Sequence, residues 1–101
     1  MPRATVLFHR LADNEYQKAL RWYRRRSVKT ADSFEARMQQ AVDDIATSPE
    51  RWPRWDDIYR WFRVRGFPFF LYYRIIDASD VLIMAAAHGR RRPAYWRRRR
   101  I

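Results

Sequence analysis

Hydrophobic positions along this chain change their period several times, and each change marks an element. Thr5-Val6-Leu7-Phe8 is a brief β-prone run that predicts a first strand. From about Leu11 to Arg26 the spacing becomes helical, with Ala12, Tyr16, Ala19, Leu20 and Tyr23 on one face. After a short break at Ser27 to Thr30, Asp32-Ser33-Phe34-Glu35 resembles a capping box with Asp32 as N-cap. Phe34, Met38, Ala41, Val42 and Ile45 form the stripe of a second helix, which Ser48-Pro49 ends. Ile58 to Arg65 alternates imperfectly and predicts a strand, with Ile58, Phe62 and Val64 on one side and Tyr59, Trp61, Arg63 and Arg65 on the other. Gly66 makes a turn into Phe69 to Ile76, whose near-continuous apolarity suits a central strand covered on both faces. Asp77-Ala78-Ser79-Asp80 supplies turn chemistry, and Val81 to Ala87 is the last apolar run.

The predicted order is β-α-α-β-β-β. It implies an α+β fold in which a helical hairpin covers one face of a small, mainly antiparallel sheet. At 101 residues the chain reads as one domain, residues 1–96, followed by a basic tail at 97–101. Aromatics reach 17%, which provides a core, while 33% charged residues make the surface ionic. The lack of cysteine removes disulfides, thiolate metal sites and cysteine nucleophiles. No apolar run is long enough to span a bilayer and no signal-peptide core opens the chain, so a cytoplasmic protein without a membrane partner is expected.

Charge changes the picture more than size does. The net charge is +11, and 20 of the 22 basic residues are arginine. Residues 1–50 hold 9 basic and 7 acidic side chains, whereas residues 51–101 hold 13 and 4. A chain so lopsided attracts nucleic acid or an acidic protein, and arginine brings a planar fork for phosphate or carboxylate. The run Arg24-Arg25-Arg26 reads more simply as the basic last turn of a helix on a solvated face.

Candidate chemistry is sparse. His9 and His88 stand far apart with no carboxylate at ligand spacing, so no metal or cofactor is expected. Asp43-Asp44 and Asp56-Asp57 are adjacent pairs whose members point apart. Two glycines, Gly66 and Gly89, cannot build a phosphate loop, and no serine sits in a nucleophile elbow. Arginine-assisted cleavage of RNA survives as one kind of catalysis, with Arg63, Arg65, Arg74, Arg90 and Arg91 near strand ends and His88 or Tyr95 to move a proton. For His88 the plainer reading is a half-buried strand terminus satisfying backbone groups. For Tyr95 and Trp96, packing of the chain end and contact with a partner stand side by side. Arg97 to Arg100 reads as a solvated tail that an acidic partner can order. Trp52 and Trp55 read as clamps holding a proline-containing loop, while Trp22 and Trp61 fit either core or partner.

Four segments in order resemble a known family over nearly the whole chain: FHRLADNEYQKALRWY, SFEARMQQAVDDIATSPERWPRW, YRWFRVRGFPFFLYYRI and VLIMAAAHGRRRPAYW. Together they are similar to the RelE/ParE toxin superfamily, closest to the ParE-like plasmid stabilisation branch. The resemblance implies a RelE-like fold and a type II toxin neutralised by a cognate acidic antitoxin, in a toxin–antitoxin hetero-oligomer. ParE-type members poison DNA gyrase by binding, and RelE-type members cut mRNA on the ribosome. The resemblance places Arg63, Arg91 and Tyr95 at nuclease positions but Phe70 where that branch carries an arginine, which favours a non-enzymatic toxin. An inactive toxin retained for antitoxin binding is the third reading. Candidate contacts to target or antitoxin are Arg60, Arg63, Arg65, Arg74, Arg90, Arg91, Tyr95, Trp96, Arg97, Arg98, Arg99 and Arg100.

Overall fold

A computed structural model of the chain describes residues 3–101. Its elements are β1 (Thr5–Phe8), α1 (Arg10–Arg26), α2 (Val28–Thr47), β2 (Tyr59–Arg63), β3 (Phe69–Ile75) and β4 (Asp80–His88). They form the expected α+β order, with one four-stranded sheet arranged β1-β4-β3-β2. The sheet is mixed: β2–β3 and β3–β4 are antiparallel, while β1 pairs parallel to the first half of β4. The helical hairpin makes that parallel pairing possible, because a parallel neighbour needs a long crossover connection.

The break between the helices is shorter than the sequence suggested. Ser27 alone separates them, and α2 begins at Val28, so Asp32 lies inside the helix and does not cap it. Ser27 serves both ends: its backbone N–H donates to Tyr23 O at the end of α1, and its hydroxyl accepts from Thr30 N at 3.1 Å. A serine is a strong N-cap because its oxygen fills an orphan N–H, and it outcompetes the later Asp-x-x-Glu pattern by allowing one more helical turn. At the other end of α1, His9 is the N-cap, its Nδ1 accepting from Leu11 N at 3.0 Å.

One face of the sheet meets the helices. Ala12, Ala19 and Leu20 of α1, Phe34, Met38, Ala41 and Ile45 of α2, and Leu71, Tyr73, Val81 and Ile83 of the sheet close the main core. Phe34 sits at its centre, with ring centroids 4.9 to 5.2 Å from Tyr23, Phe67 and Phe69. Strand β4 carries a bulge: Tyr72 pairs with Ala85 but Tyr73 pairs with Ile83. The extra residue shifts the alternation, so Val81, Ile83 and Ala86 face the helices while Leu82, Met84, Ala85 and Ala87 face the opposite side. Strand β2 is shorter than expected, and Ile58 precedes it as an exposed side chain. The turn after β2 needs Gly66, whose φ of +81° lies in the left-handed region.

The long connection from α2 to β2 is pinned by its tryptophans, as expected. Trp52 Nε1 donates to Asp44 O and its ring packs edge-on against Phe62, centroids 4.6 Å apart. Trp55 packs against Trp96 at 5.2 Å. The Tyr73 hydroxyl reaches back to Pro49 O at 2.6 Å, and burial raises its pKa. No described helix is long and apolar enough to cross a membrane.

Candidate functional site

The second face of the sheet is where the candidate residues gather, and the chain end covers its middle. Trp96 is 1% exposed; it stacks on Tyr72 at 4.7 Å and meets Tyr59 edge-on at 4.8 Å. With Leu82, Met84, Ala85 and Ala87 these rings make a second, smaller core. Trp96 is therefore part of the packing on this face. To bring it there the chain passes through Ala94 at φ 61°, a conformation costly for a residue with a Cβ. Burial of the indole that follows offsets that cost.

Tyr95 points the other way, into a polar node on α1. Its hydroxyl donates to Glu15 Oε2, a short hydrogen bond. Arg99 donates to both Glu15 oxygens at 2.9 Å and to Met84 O at 2.9 Å. Glu15 Oε1 also accepts from Ala86 N at 3.1 Å, a backbone donor that points toward the helix just beyond the bulge. One carboxylate thus joins the helix, the strand and the chain end. Burial, and then the hydrogen bond to ionised Glu15 and its charge, raise the Tyr95 hydroxyl well above the ordinary phenol range. A phenol so placed holds its proton and is a poor base.

The terminal arginines divide by parity. Arg97 Nε pairs with Asp56 Oδ2 at 3.0 Å and its guanidinium lies 4.6 Å from the Tyr59 ring centroid. Arg99 is spent on Glu15, whereas Arg98 and Arg100 are exposed. The backbone carbonyl of Arg100 also lies 2.6 Å from His9 Nε2. The solvated tail expected from composition is thus seated on the domain, because two of its side chains find carboxylates and Trp96 anchors what precedes them.

The remaining candidates separate into two groups. Arg74 lies toward Tyr59, its Nε buried without a partner, and Arg60 faces the helical side, donating to Trp52 O at 2.7 Å. Arg63, Arg65, Arg90 and Arg91 stay exposed at the opposite end of the sheet. There a cleft of about 230 Å³ is lined by Phe70, Tyr72, His88, Gly89, Arg91 and Trp96, among others. Arg91 stacks on the Tyr95 ring at 3.8 Å, and Arg63 lies 5.9 Å from the Phe70 ring centroid. Phe70 packs against the turn after β4, its Cε2 lying 3.2 Å from where a Cβ on Gly89 would stand. His88 Nδ1 accepts from Arg90 N at 3.0 Å, the backbone-satisfying role its position suggested. So Arg63 lies toward Phe70 and Arg91 on Tyr95, whose hydroxyl is turned away to Glu15.

The sequence profile for the ParE toxin of the type II toxin–antitoxin system, parDE, matches residues 6–93 of this chain. The chain belongs to the ParE toxin family. Among solved structures it is similar to a chain described as the chromosomal ParDE TA system from P. aeruginosa, with a TM-score of 0.66 and 11% identity, covering 87% of this chain and 98% of that one. That likeness establishes the fold. A comparison with curated protein sequences returns no match. In this ParE-family chain the Tyr95–Arg99 closure lies just beyond the matched span.

Glu15 and Asp56 were not anticipated as site residues. Glu15 had a readable signal, since it stands three residues after Ala12 and four before Ala19, a carboxylate on the buried stripe. Asp56 had none, because its role depends on a loop conformation that brings Ile58 N and Tyr59 N to its Oδ1 at 2.8 and 2.7 Å. Among the described residues no group of His, Cys, Asp or Glu is arranged to hold a metal ion.

Proposed function

We propose that this ParE-family protein is a type II toxin that acts in the cytoplasm by binding an essential target, DNA gyrase, and is neutralised by an acidic antitoxin. The observation that carries the binding reading over catalysis is the state of the cleft. Phe70 lines the cleft with Arg91 and its ring centroid lies 5.9 Å from the Arg63 guanidinium, and Tyr95, the phenol on which Arg91 stacks, directs its hydroxyl to Glu15. Phosphodiester cleavage needs a group that takes a proton from the 2′-OH, and His88 Nδ1 is already engaged by Arg90 N. What the cleft offers is aromatic walls with arginine at the rim, suited to a protein surface with carboxylates around an apolar anchor.

The test is a supercoiling assay with purified toxin and gyrase, alongside growth with and without the adjacent antitoxin gene. Inhibition by the wild type, relieved by antitoxin and weakened at least tenfold in Arg91→Ala, is the expected outcome. Full gyrase activity at saturating toxin overturns it. In that case codon-linked cuts in translated mRNA, lost in Arg91→Ala, would identify a ribosome-dependent nuclease. Unimpaired growth on induction would identify an inactive toxin kept for its antitoxin.

A further inference from the structure

The arginine run that closes α1 and the one that follows β4 are 64 positions apart from Arg26 to Arg90, yet the fold brings them to one end of the molecule. Helix α1 crosses the sheet toward the β2–β3 turn: Tyr23 packs edge-on against Phe67 with centroids 5.3 Å apart and against Phe69 at 6.4 Å. Phe69 pairs with His88 at the end of β4, and Gly89 N donates to Pro68 O at 2.8 Å. The last turn of α1 (Arg24, Arg25, Arg26), the start of α2 (Lys29), the β2–β3 turn (Arg63, Arg65) and the loop after β4 (Arg90, Arg91, Arg92) therefore share one pole. All nine are exposed, and none is within salt-bridge reach of a carboxylate among the described residues. The first turn of α2 carries no acid, and Asp32 and Glu35 beyond it pair with none of them.

We infer that this pole binds the phosphate backbone of duplex DNA, without reading sequence, as a surface that takes in the arginine rim of the cleft above and extends it to the end of α1. A patch of guanidinium forks held in no salt bridge matches a regular array of phosphates. The aromatic arrangement selects duplex over single strand. Binders of single strands stack bases on open rings. Here Trp22, though 46% exposed, is covered by the Arg26 guanidinium at 3.5 Å and abutted by Tyr23 at 5.2 Å. Trp61 and Phe70 are turned edge to face on each other at 5.9 Å. Arg26 is further fixed by its bond to Trp22 O at 3.0 Å, which holds a cation at the apex of the hairpin.

The experiment is fluorescence anisotropy of the full chain with a labelled duplex of mixed sequence, at several salt concentrations and without gyrase or antitoxin. Success or failure is thus independent of the toxin's target. A triple variant on the pole (Arg24→Gln, Arg25→Gln, Lys29→Gln) is compared with one away from it (Arg10→Gln, Arg54→Gln, Arg98→Gln), both checked for native circular dichroism. The pole variant is expected to lose at least tenfold in affinity and to flatten the plot of log K against log salt by about 0.9 per phosphate contact removed. The control, with the same net charge, is expected to change less than threefold. Equal losses in both variants would reduce the effect to net charge and overturn the site. Tighter binding of single-stranded DNA or RNA overturns the duplex assignment. Pole-dependent binding of an acidic peptide with no duplex binding would assign the surface to a protein instead.

Discussion

Glu15 shows how much one side chain can join. Its carboxylate satisfies a strand N–H, a phenol and a guanidinium, with the Glu15 and Arg99 side chains only 16% and 12% exposed. Removing one member of such a buried set leaves the others desolvated and unpaired, so Glu15→Ala is expected to cost about 3 kcal/mol. That corresponds to roughly 15 °C in Tm for a domain of this size, read by thermal melting. Arg3→Ala breaks a pair whose side chains are 60% and 40% exposed, and should leave the melt where it is. If the two variants melt together, the node is no more than a surface contact. Tyr95→Phe keeps the ring under Arg91 and should fall between them.

At the scale of elements, the hairpin turns on a single residue. Ser27 closes α1 through its backbone and opens α2 through its hydroxyl. Ser27→Ala removes only the second role, and the expected loss is about 1 kcal/mol by chemical denaturation. Asp32→Ala, at the position that the local pattern marked as the cap, should be close to neutral because it lies on an exposed face within α2. A larger loss for Asp32 than for Ser27 would reverse this assignment. The capping box was legible and misplaced: Asp-x-x-Glu and Ser-x-x-Thr both offer an N-cap, and only the packing of Ala31 and Phe34 in the core decides which turn starts the helix.

For the whole molecule, charge sets the response to pH. Partial burial pushes the Asp56 carboxyl up, but the N–H groups of Tyr59 and Ile58 and the Arg97 guanidinium outweigh it, and the net shift is downward. Asp77 is lowered by the N–H groups of Ser79 and Asp80 and the Ser79 hydroxyl, and Asp43 mainly by its bond to Arg3. A carboxyl with a folded pKa below its unfolded value binds fewer protons when native. It therefore contributes stability above about pH 4, and that contribution fades as pH falls through the folded pKa. Stability should fall on that acid limb, where a net charge of +11 grows further as carboxylates protonate. Asp56→Asn should flatten the limb in a denaturation series from neutral pH downward; an unchanged slope would assign the acid loss to other groups.

Taken by themselves, the residues determined a good deal. Local periodicity carried both helices, the β3–β4 hairpin and the element order, because each depends on neighbours a few positions away. The motifs around the β3 strand and His88 to Trp96 carried the family. Three things waited for the tertiary structure. The bulge in β4 could not be read from Met84-Ala85-Ala86-Ala87, since a run apolar on both faces shows no break in alternation. The seating of Arg97 and Arg99 depended on Asp56 and Glu15, 41 and 84 positions away. The basic pole also came only from folding: to the sequence, Arg24-Arg25-Arg26 was the last turn of a helix, with a local and sufficient reason for its charge. The diagonal path of α1 across the sheet, set by Tyr23 packing among Phe34, Phe67 and Phe69, carries that run to the arginines after β4. Local physics chose the residues, and long-range burial of aromatic rings chose where their charges meet.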